Sequence, residues 1–265
     1  MDYLGVVAIV KDEDLYLPEW IAYYRMMGAT HFWIYDNDSK VPVAKSISKL
    51  NHGDIVAVPF PGRARQIDAY NHALSFARGK VTWLAVIDVD EYIIPKKAMD
   101  LCDLLKDYEN YGGLAINWQM FGPSGHKTKP SGLQIEAYKK RNKIDAEVNR
   151  HVKMVVRPER VEKGRDPHSM FFKDGFYAVN EKKILVEGSF SAPVSTEIVQ
   201  INHYFTRTTE EYKVKISKGD PNGAEPKDMR LFEATERDAV EDDVCALKFA
   251  SHLRAVLYND RVDIS

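Results

Sequence analysis

Cysteine is nearly missing from this 265-residue chain, which has only Cys102 and Cys245. Two thiols cannot build a disulfide framework, which removes the small disulfide-rich secreted class and fits a reducing cytoplasm. Net charge is nearly missing as well. Lysine and arginine number 37 against 39 acidic residues, a formal balance of −2, so no global field draws the chain toward nucleic acid. A phosphate-bearing ligand would have to be met by local clusters. The run Lys139, Lys140, Arg141 and Lys143 is one, although it reads first as a solvated helix or loop face. Long apolar runs are also absent. In MDYLGVVAIVKDEDLY the apolar stretch is too short and too soon broken by charge for a signal peptide or membrane span. The expectation is a soluble cytoplasmic protein, with peripheral contact at the cytoplasmic face of a membrane left open. There is no internal repeat. No glycine-rich phosphate loop follows the first apolar run, where VKDEDLY stands, and this argues against a sugar nucleotidyltransferase.

What the chain does have is apolar material for a sizeable core, at 45% hydrophobic, and a regular alternation of short apolar runs with helical patterns. YLGVVAIV (3–10) reads as a strand buried on both faces. Pro18 then opens a helix with Trp20, Ile21, Tyr24 and Met27 at helical spacing, and Gly28 stops it. HFWIYDNDS and DIVAVPF (54–60) are the next strands. RQIDAYNHALSFARGK follows as a helix with Ile67, Tyr70, Leu74 and Ala77 in one stripe and Gly79 as its cap. VTWLAVID is the fourth strand. Such alternation predicts a mostly parallel sheet with helices on both faces, and ligands in these sheets bind at the carboxyl ends of the strands. Lys11–Asp14, Asp36–Ser39 and Asp88–Glu91 would then meet on one rim.

Further along, AMDLCDLLKDYEN is helix-like, and GGLAINWQMFG (112–122) and HVKMVVRPERV (151–161) read as strands. Between them lies a long polar segment with GPSGHKTKPSG, whose His126 is placed to cover a ligand and whose glycines would let it hinge. Trp118 and Phe121 fit strand-core packing better than stacking on a ligand. KGDPNGAEPKD (218–228) precedes a final amphipathic helix with Val244, Leu247, Ala250, Leu253 and Leu257 on one face.

The chemistry concentrates in WLAVIDVDEYIIP, where a buried-looking strand ends in Asp88, Asp90 and Glu91. Carboxylates this close raise one another's pKa unless a cation neutralises them. At a strand end Asp88 and Asp90 would reach one ion, and hard oxygen ligands suit Mn²⁺ or Mg²⁺. The same D-x-D would also fit a phosphohydrolase of the haloacid dehalogenase type, with Gly219 and Asp220 as its late acidic motif. That class normally carries D-x-D on its first strand, with Thr or Val where this chain has Tyr92.

VVAIVKDEDLYLPEWIAYYRMMGATHFWIYDNDS and RQIDAYNHALSFARGKVTWLAVIDVDEYIIP, then NWQMFGPSGHKTKPSG, HVKMVVRP and INHYFTRTTEEYKVKISKG, resemble glycosyltransferase family 2 and, more closely, the related family 92, over about residues 5–220. The resemblance implies a GT-A fold: an α/β domain with a largely parallel central sheet flanked by helices, whose members move a sugar from a nucleotide sugar to an acceptor. It implies a GT-A domain over 1–220, with a nucleotide-binding half (1–95) and an acceptor half (96–220), and a helical extension over 221–265. It implies hexosyl transfer from a nucleotide-sugar donor, a UDP-sugar by preference, to a glycan or lipid-linked acceptor, with Mn²⁺ or Mg²⁺ and inversion as the expected course.

Carried over by residue, Asp36 resembles the acidic position that contacts the nucleoside. Asp88 and Asp90 resemble the metal-binding pair, Asp90 as the direct ligand and Asp88 closer to ribose or water, with Glu91 in support. His203 in INHY resembles the late histidine that returns to the metal or diphosphate. Lys11, Arg65 and Gln66 fall where relatives face the nucleotide, and Lys215 and Lys218 where cations would meet the diphosphate. The family's acidic base motif has no clean copy between 120 and 200. Asp166 and His168 in GRDPHS and Asp243 in VEDDV stand as base candidates, although VEDDV also reads as the acidic start of a helix. A catalytically silent carbohydrate-binding protein on this fold is the alternative from another class.

Overall fold

The computed structural model describes residues 1–50, 53–218 and 228–259. Most of KGDPNGAEPKD, with Gly219 and Asp220, lies outside the described residues. The first half is four parallel strands, β1 (Asp2–Val10), β2 (Ala29–Asp36), β3 (Ile55–Pro59) and β4 (Val81–Val86), in the spatial order β4-β1-β2-β3. Along β1 successive side chains go to opposite faces: Leu4, Val6, Ala8 and Val10 join one buried cluster and Val7 the other. A strand covered on both faces needs this continuous apolar run.

Helix α1 (Leu17–Met26) covers one face. Pro18 lies in its first turn and Gly28 adopts φ +95° just beyond its end. Leu17 to Tyr24 are all buried, so α1 is enclosed and its polar aromatic groups must find internal partners. Helix α2 (Val43–Ser46) is a single turn after β2. Helix α3 (Gln66–Ala77) lies on the other face, burying Gln66, Ala69, Tyr70, Ala73, Leu74 and Ala77.

In the second half the strands are β5 (Glu91–Pro95), β6 (Gly113–Met120), β7 (Lys140–Asn142), β8 (Val152–Val156), β9 (Val161–Asp166), β10 (Ser169–Phe172), β11 (Ala178–Val179), β12 (Leu185–Val186), β13 (Val199–His203) and β14 (Ala239–Asp242). The helices are α4 (Leu101–Leu105), α5 (Gln134–Ala137), α6 (Thr209–Ser217), α7 (Met229–Asp238) and α8 (Ala250–Asn259). The expected α/β class is present, with a large central sheet between helical layers. The parallel arrangement ends at β4, because β8 enters antiparallel between β4 and β6.

HVKMVVRPERV is not one strand. It is β8, a short turn at Pro158–Arg160, and the start of the β9–β10 hairpin. VEDDV does not begin a helix either. Glu241 and Asp242 lie in β14, which pairs antiparallel with β7, and there Lys140 meets Asp242 while Arg141 meets Glu241 and Asp243. The basic run and the acidic run, far apart in sequence, thus neutralise each other across two strands, where opposite charges are favourable. The last helix starts later than its apolar stripe suggests, since Cys245–Phe249 forms a tighter turn ahead of α8.

One crossing positions the site. β4 ends at Val86 and β5 begins at Glu91, so Asp88 and Asp90 occupy the turn between them. β13 then returns antiparallel to β5 and parallel to β6, setting His203 opposite Glu91 and Met120.

Candidate active site

The turn that carries Asp88 and Asp90 is held from beneath by α1. Trp20 Nε1 donates to the carbonyls of Asp88 and Glu91 at 3.1 and 3.2 Å. Tyr24 Oη donates to Glu91 O at 3.2 Å and accepts from Ile93 N at 3.0 Å, and Tyr23 Oη donates to Ile93 O at 2.7 Å. Buried carbonyls left without partners would be costly, and these aromatic donors satisfy them. Trp20→Phe is expected to keep the fold and lower stability by about 1 kcal/mol, measured by urea denaturation; a loss below about 0.3 kcal/mol would mean that the two carbonyls are satisfied otherwise.

The two aspartates face different partners. Asp88 Oδ2 accepts from Lys153 Nζ at 2.7 Å, and its Oδ1 accepts from Gln66 Nε2 at 3.1 Å and Tyr70 Oη at 3.4 Å. Lys153 reaches the turn from β8 with its side chain only 2% exposed, and lies 3.6 Å from Glu91 Oε2. Burial alone would lower the Lys153 ammonium, but Asp88 and Glu91 outweigh it and hold it well above its usual value. Glu91 is fully buried and accepts from Asp88 N at 2.9 Å. Burial pushes its carboxyl up to about 8, against the pull of Lys153.

Asp90 turns to the other side. Its Oδ2 lies 2.7 Å from Lys215 Nζ on α6 and 3.6 Å from His203 Nε2. Burial would raise this carboxyl, but Lys215 and His203 hold it well below the usual carboxylate range. Burial lowers the His203 imidazole. Lys215 also donates to Phe205 O at 2.9 Å, and Lys218 donates to the carbonyls of Lys11 and Asp12 at 3.1 Å each. Helix α6 is fixed by a Thr208–Glu211 capping box, so Lys215 in its last turn and Lys218 just beyond its end are presented to the strand-end loops. The charge of the D-x-D turn is therefore met by two lysines of the chain itself.

The remaining sequence-derived residues fall as follows. Asp36 accepts from Ser39 N and Val43 N, both at 3.0 Å, and so shapes the loop after β2. Asp12 adjoins it, accepting from Lys40 N at 2.7 Å while its own N–H donates to Ser39 Oγ. Lys11 is exposed at this edge. Arg65 stacks over Phe60 at 4.5 Å and pairs with Asp68, at the start of the helix that supplies Gln66. Asp166 spends both oxygens on its own turn, accepting from His168 N, Ser169 N, Ser169 Oγ and Ser189 Oγ at 2.6–2.9 Å. Asp243 is occupied by Arg141 Nε, Gln200 Nε2 and Cys245 N.

His168 is different. Its Nδ1 lies 3.0 Å from Val152 O, which fixes the proton on Nδ1 and leaves Nε2 as an acceptor. Its ring is 5.0 Å from Trp118, which lies 4.3 Å from His203. Phe121 is fully buried and Trp118 is 8% exposed, so both pack as strand core. His126, expected to cover a ligand, has its Nε2 3.1 Å from Ala137 O at the end of α5.

Sequence reading missed four contributors. Lys153 is a single charge in an apolar strand, and that isolation was the only available signal. Trp20 and Tyr24 looked like plain helix core. Arg207 donates to Glu13 Oε2 at 2.6 Å and Gln134 Oε1 at 2.8 Å, and sits 3.8 Å over the Tyr16 ring.

A family model for glycosyltransferase family 92 matches residues 7–245. The chain belongs to glycosyltransferase family 92. A family 92 protein of Ricinus communis is 29% identical over 220 residues, 80% of this chain and 37% of that protein. A family 92 protein of Arabidopsis thaliana is 25% identical over 229 residues, again 80% and 37%. The chain thus spans little more than a third of the length of these curated relatives. Among solved structures, S. aureus TarS 1-349 is similar at 14% identity and a TM-score of 0.42, over 98% of this chain and 72% of that one. HddC from Yersinia pseudotuberculosis is similar at 11% identity and a TM-score of 0.40, over 68% and 90%. The family 92 assignment rests on the sequence match alone. It removes the haloacid dehalogenase alternative.

Among the described residues no group of three or more histidine, cysteine, aspartate or glutamate side chains could hold a metal ion, and no helix is long and apolar enough to cross a membrane. Asp90 and His203, 3.6 Å apart, would offer a divalent ion one hard oxygen and one imidazole nitrogen, at a carboxylate that Lys215 now holds at 2.7 Å. The ion would complete its shell from water and substrate oxygens.

Proposed function

We propose that this domain transfers a hexosyl group, with inversion, from a nucleoside diphosphate sugar to a hydroxyl of a glycan or lipid-linked acceptor. A UDP-sugar is the favoured donor. The observation that carries the reading is the convergence of Asp90, His203 and Lys215 at the strand-end turn of a family 92 chain. Mn²⁺ or Mg²⁺, when bound by Asp90 and His203, supplies Lewis-acid stabilisation of the departing diphosphate.

The chain's own residues divide the remaining work. Lys11, Asp36, Arg65 and Gln66 are assigned to the nucleotide end, and Asp88, fixed by Lys153, to the ribose side. Lys215 and Lys218 act as point charges toward the diphosphate. Of the three base candidates, His168 is favoured, because Asp166 and Asp243 have both oxygens engaged while His168 Nε2 is open. In the transfer step, His168 Nε2 takes the proton of the acceptor hydroxyl as its oxygen bonds to the anomeric carbon. The bond from that carbon to the diphosphate oxygen breaks, and the nucleoside diphosphate leaves with the electron pair.

A panel of nucleotide sugars with Mn²⁺ is expected to contain one that binds and is slowly hydrolysed, and both EDTA and Asp90→Ala are expected to remove this. Binding indifferent to both would sink the metal assignment. Absence of any turnover would favour the silent carbohydrate-binding alternative.

A further inference from the structure

Phe190 is 57% exposed, yet the backbone on both sides of it is hydrogen-bonded to the start of β8. Val152 N donates to Ser189 O at 3.0 Å and Ser191 N to Arg150 O at 2.8 Å, so the segment bridges to the start of β8 on both sides of the ring. Asn117 Nδ2 adds a bond to Ser191 O at 3.0 Å, and Ser189 Oγ one to Asp166 at 2.9 Å. A single exposed aromatic is ordinary on a protein surface. A rigidly held one beside open imidazole acceptors is not explained by packing.

The Phe190 ring lies 4.5 Å from His151, and His151 lies 5.2 Å from His168. Both imidazoles are only partly buried and have the same arrangement. Each places Nδ1 about 3 Å from a backbone carbonyl, Val148 O at 2.9 Å for His151 and Val152 O at 3.0 Å for His168. A carbonyl only accepts, so each Nδ1 carries the proton and Nε2 is the ring's remaining polar atom. Burial lowers His168 to about 4, which keeps it neutral at physiological pH. Trp118 backs the group, stacked on His151 at 4.9 Å and 21°, and continues it to His203 and the Asp90 carboxylate.

We infer that Phe190, His151 and His168 form the seat of the acceptor's terminal sugar ring. A pyranose presents an apolar C–H face and a rim of hydroxyl donors. The exposed phenylalanine ring suits the first, and the two imidazole Nε2 atoms suit the second. Ring contacts run from this seat through Trp118 and His203 to Asp90, so the inference rests on the glycosyltransferase reading and assigns Phe190, His151 and His168 to its acceptor side.

Saturation-transfer NMR tests it with the methyl β-glycosides of glucose, galactose, mannose and N-acetylglucosamine, each with and without UDP and Mn²⁺. At least one glycoside is expected to saturate, most strongly on the ring protons of one face. Phe190→Ala and His151→Ala are each expected to weaken that signal at least about fivefold, and Phe190→Tyr to retain it. Phe76→Ala, an exposed phenylalanine on α3, serves as the control and is expected to leave the signal intact. No saturation by any glycoside in either condition, or an undiminished signal in both alanine variants, would overturn the inference. Nucleotide-sugar hydrolysis by the unaltered protein reports separately on the donor reading.

Discussion

Replacing His168 with glutamine is expected to lower sugar transfer by about 10²–10⁴-fold at neutral pH, the usual loss when a positioned general base is removed. Glutamine keeps a donor for Val152 O but has no basic nitrogen, so folding and donor binding should survive. The same variant carries a second readout. Burial holds His168 at about 4, below its ordinary 6.5, so between these values the unfolded chain binds the proton and the folded one resists it. Stability contributed by this group is complete above about 6.5 and is lost as pH falls toward 4, by about 3 kcal/mol at most. His168→Gln should therefore flatten the acid side of the stability profile while transfer collapses. Transfer within about tenfold of the unaltered enzyme would exclude His168 as the base.

Lys153→Met is expected to cost about 3–5 kcal/mol in urea denaturation, the penalty for breaking a buried ion pair by removing one partner. The methionine fills the volume but leaves Asp88 without the ammonium at 2.7 Å and Glu91 without its only nearby cation among the described residues. Glu91→Gln should behave oppositely and cost less than about 1 kcal/mol. Burial already pushes that carboxyl up to about 8, so a neutral amide resembles the form it favours at pH 7. Adding Glu91→Gln to Lys153→Met should recover little of the loss, because Glu91 already favours its neutral form and the charge left stranded is that of Asp88. A neutral Lys153→Met would show that the turn does not depend on this lysine for its charge balance.

These two residues mark how far the sequence could be read. His168 was visible as one of three base candidates, because GRDPHS and VEDDV are local strings. Which of the three had a free acceptor was not visible, since that depends on Ser189, Arg141 and Gln200 arriving from distant segments. The strand runs, the α1 and α3 stripes and the strand-end position of Asp88 and Asp90 were legible for a simple reason. Apolar periodicity, proline at a helix start and glycine at its end are properties of neighbouring residues.

Pairing partners are not such properties. Nothing in HVKMVV states that β8 runs antiparallel beside β4, and only that register carries Lys153 to Asp88. Nothing in VEDDV states that β7 will lie opposite, which turned an expected helix start into a strand of ion pairs. The sequence by itself determined the alternating α/β elements and the concentration of carboxylates at the end of the fourth strand. Tertiary structure alone decided that Asp88 and Asp90 face apart, each toward its own lysine. Charge is a long-range quantity, and its balance in a buried turn is set by whatever the fold places within a few ångströms, not by the residues on either side.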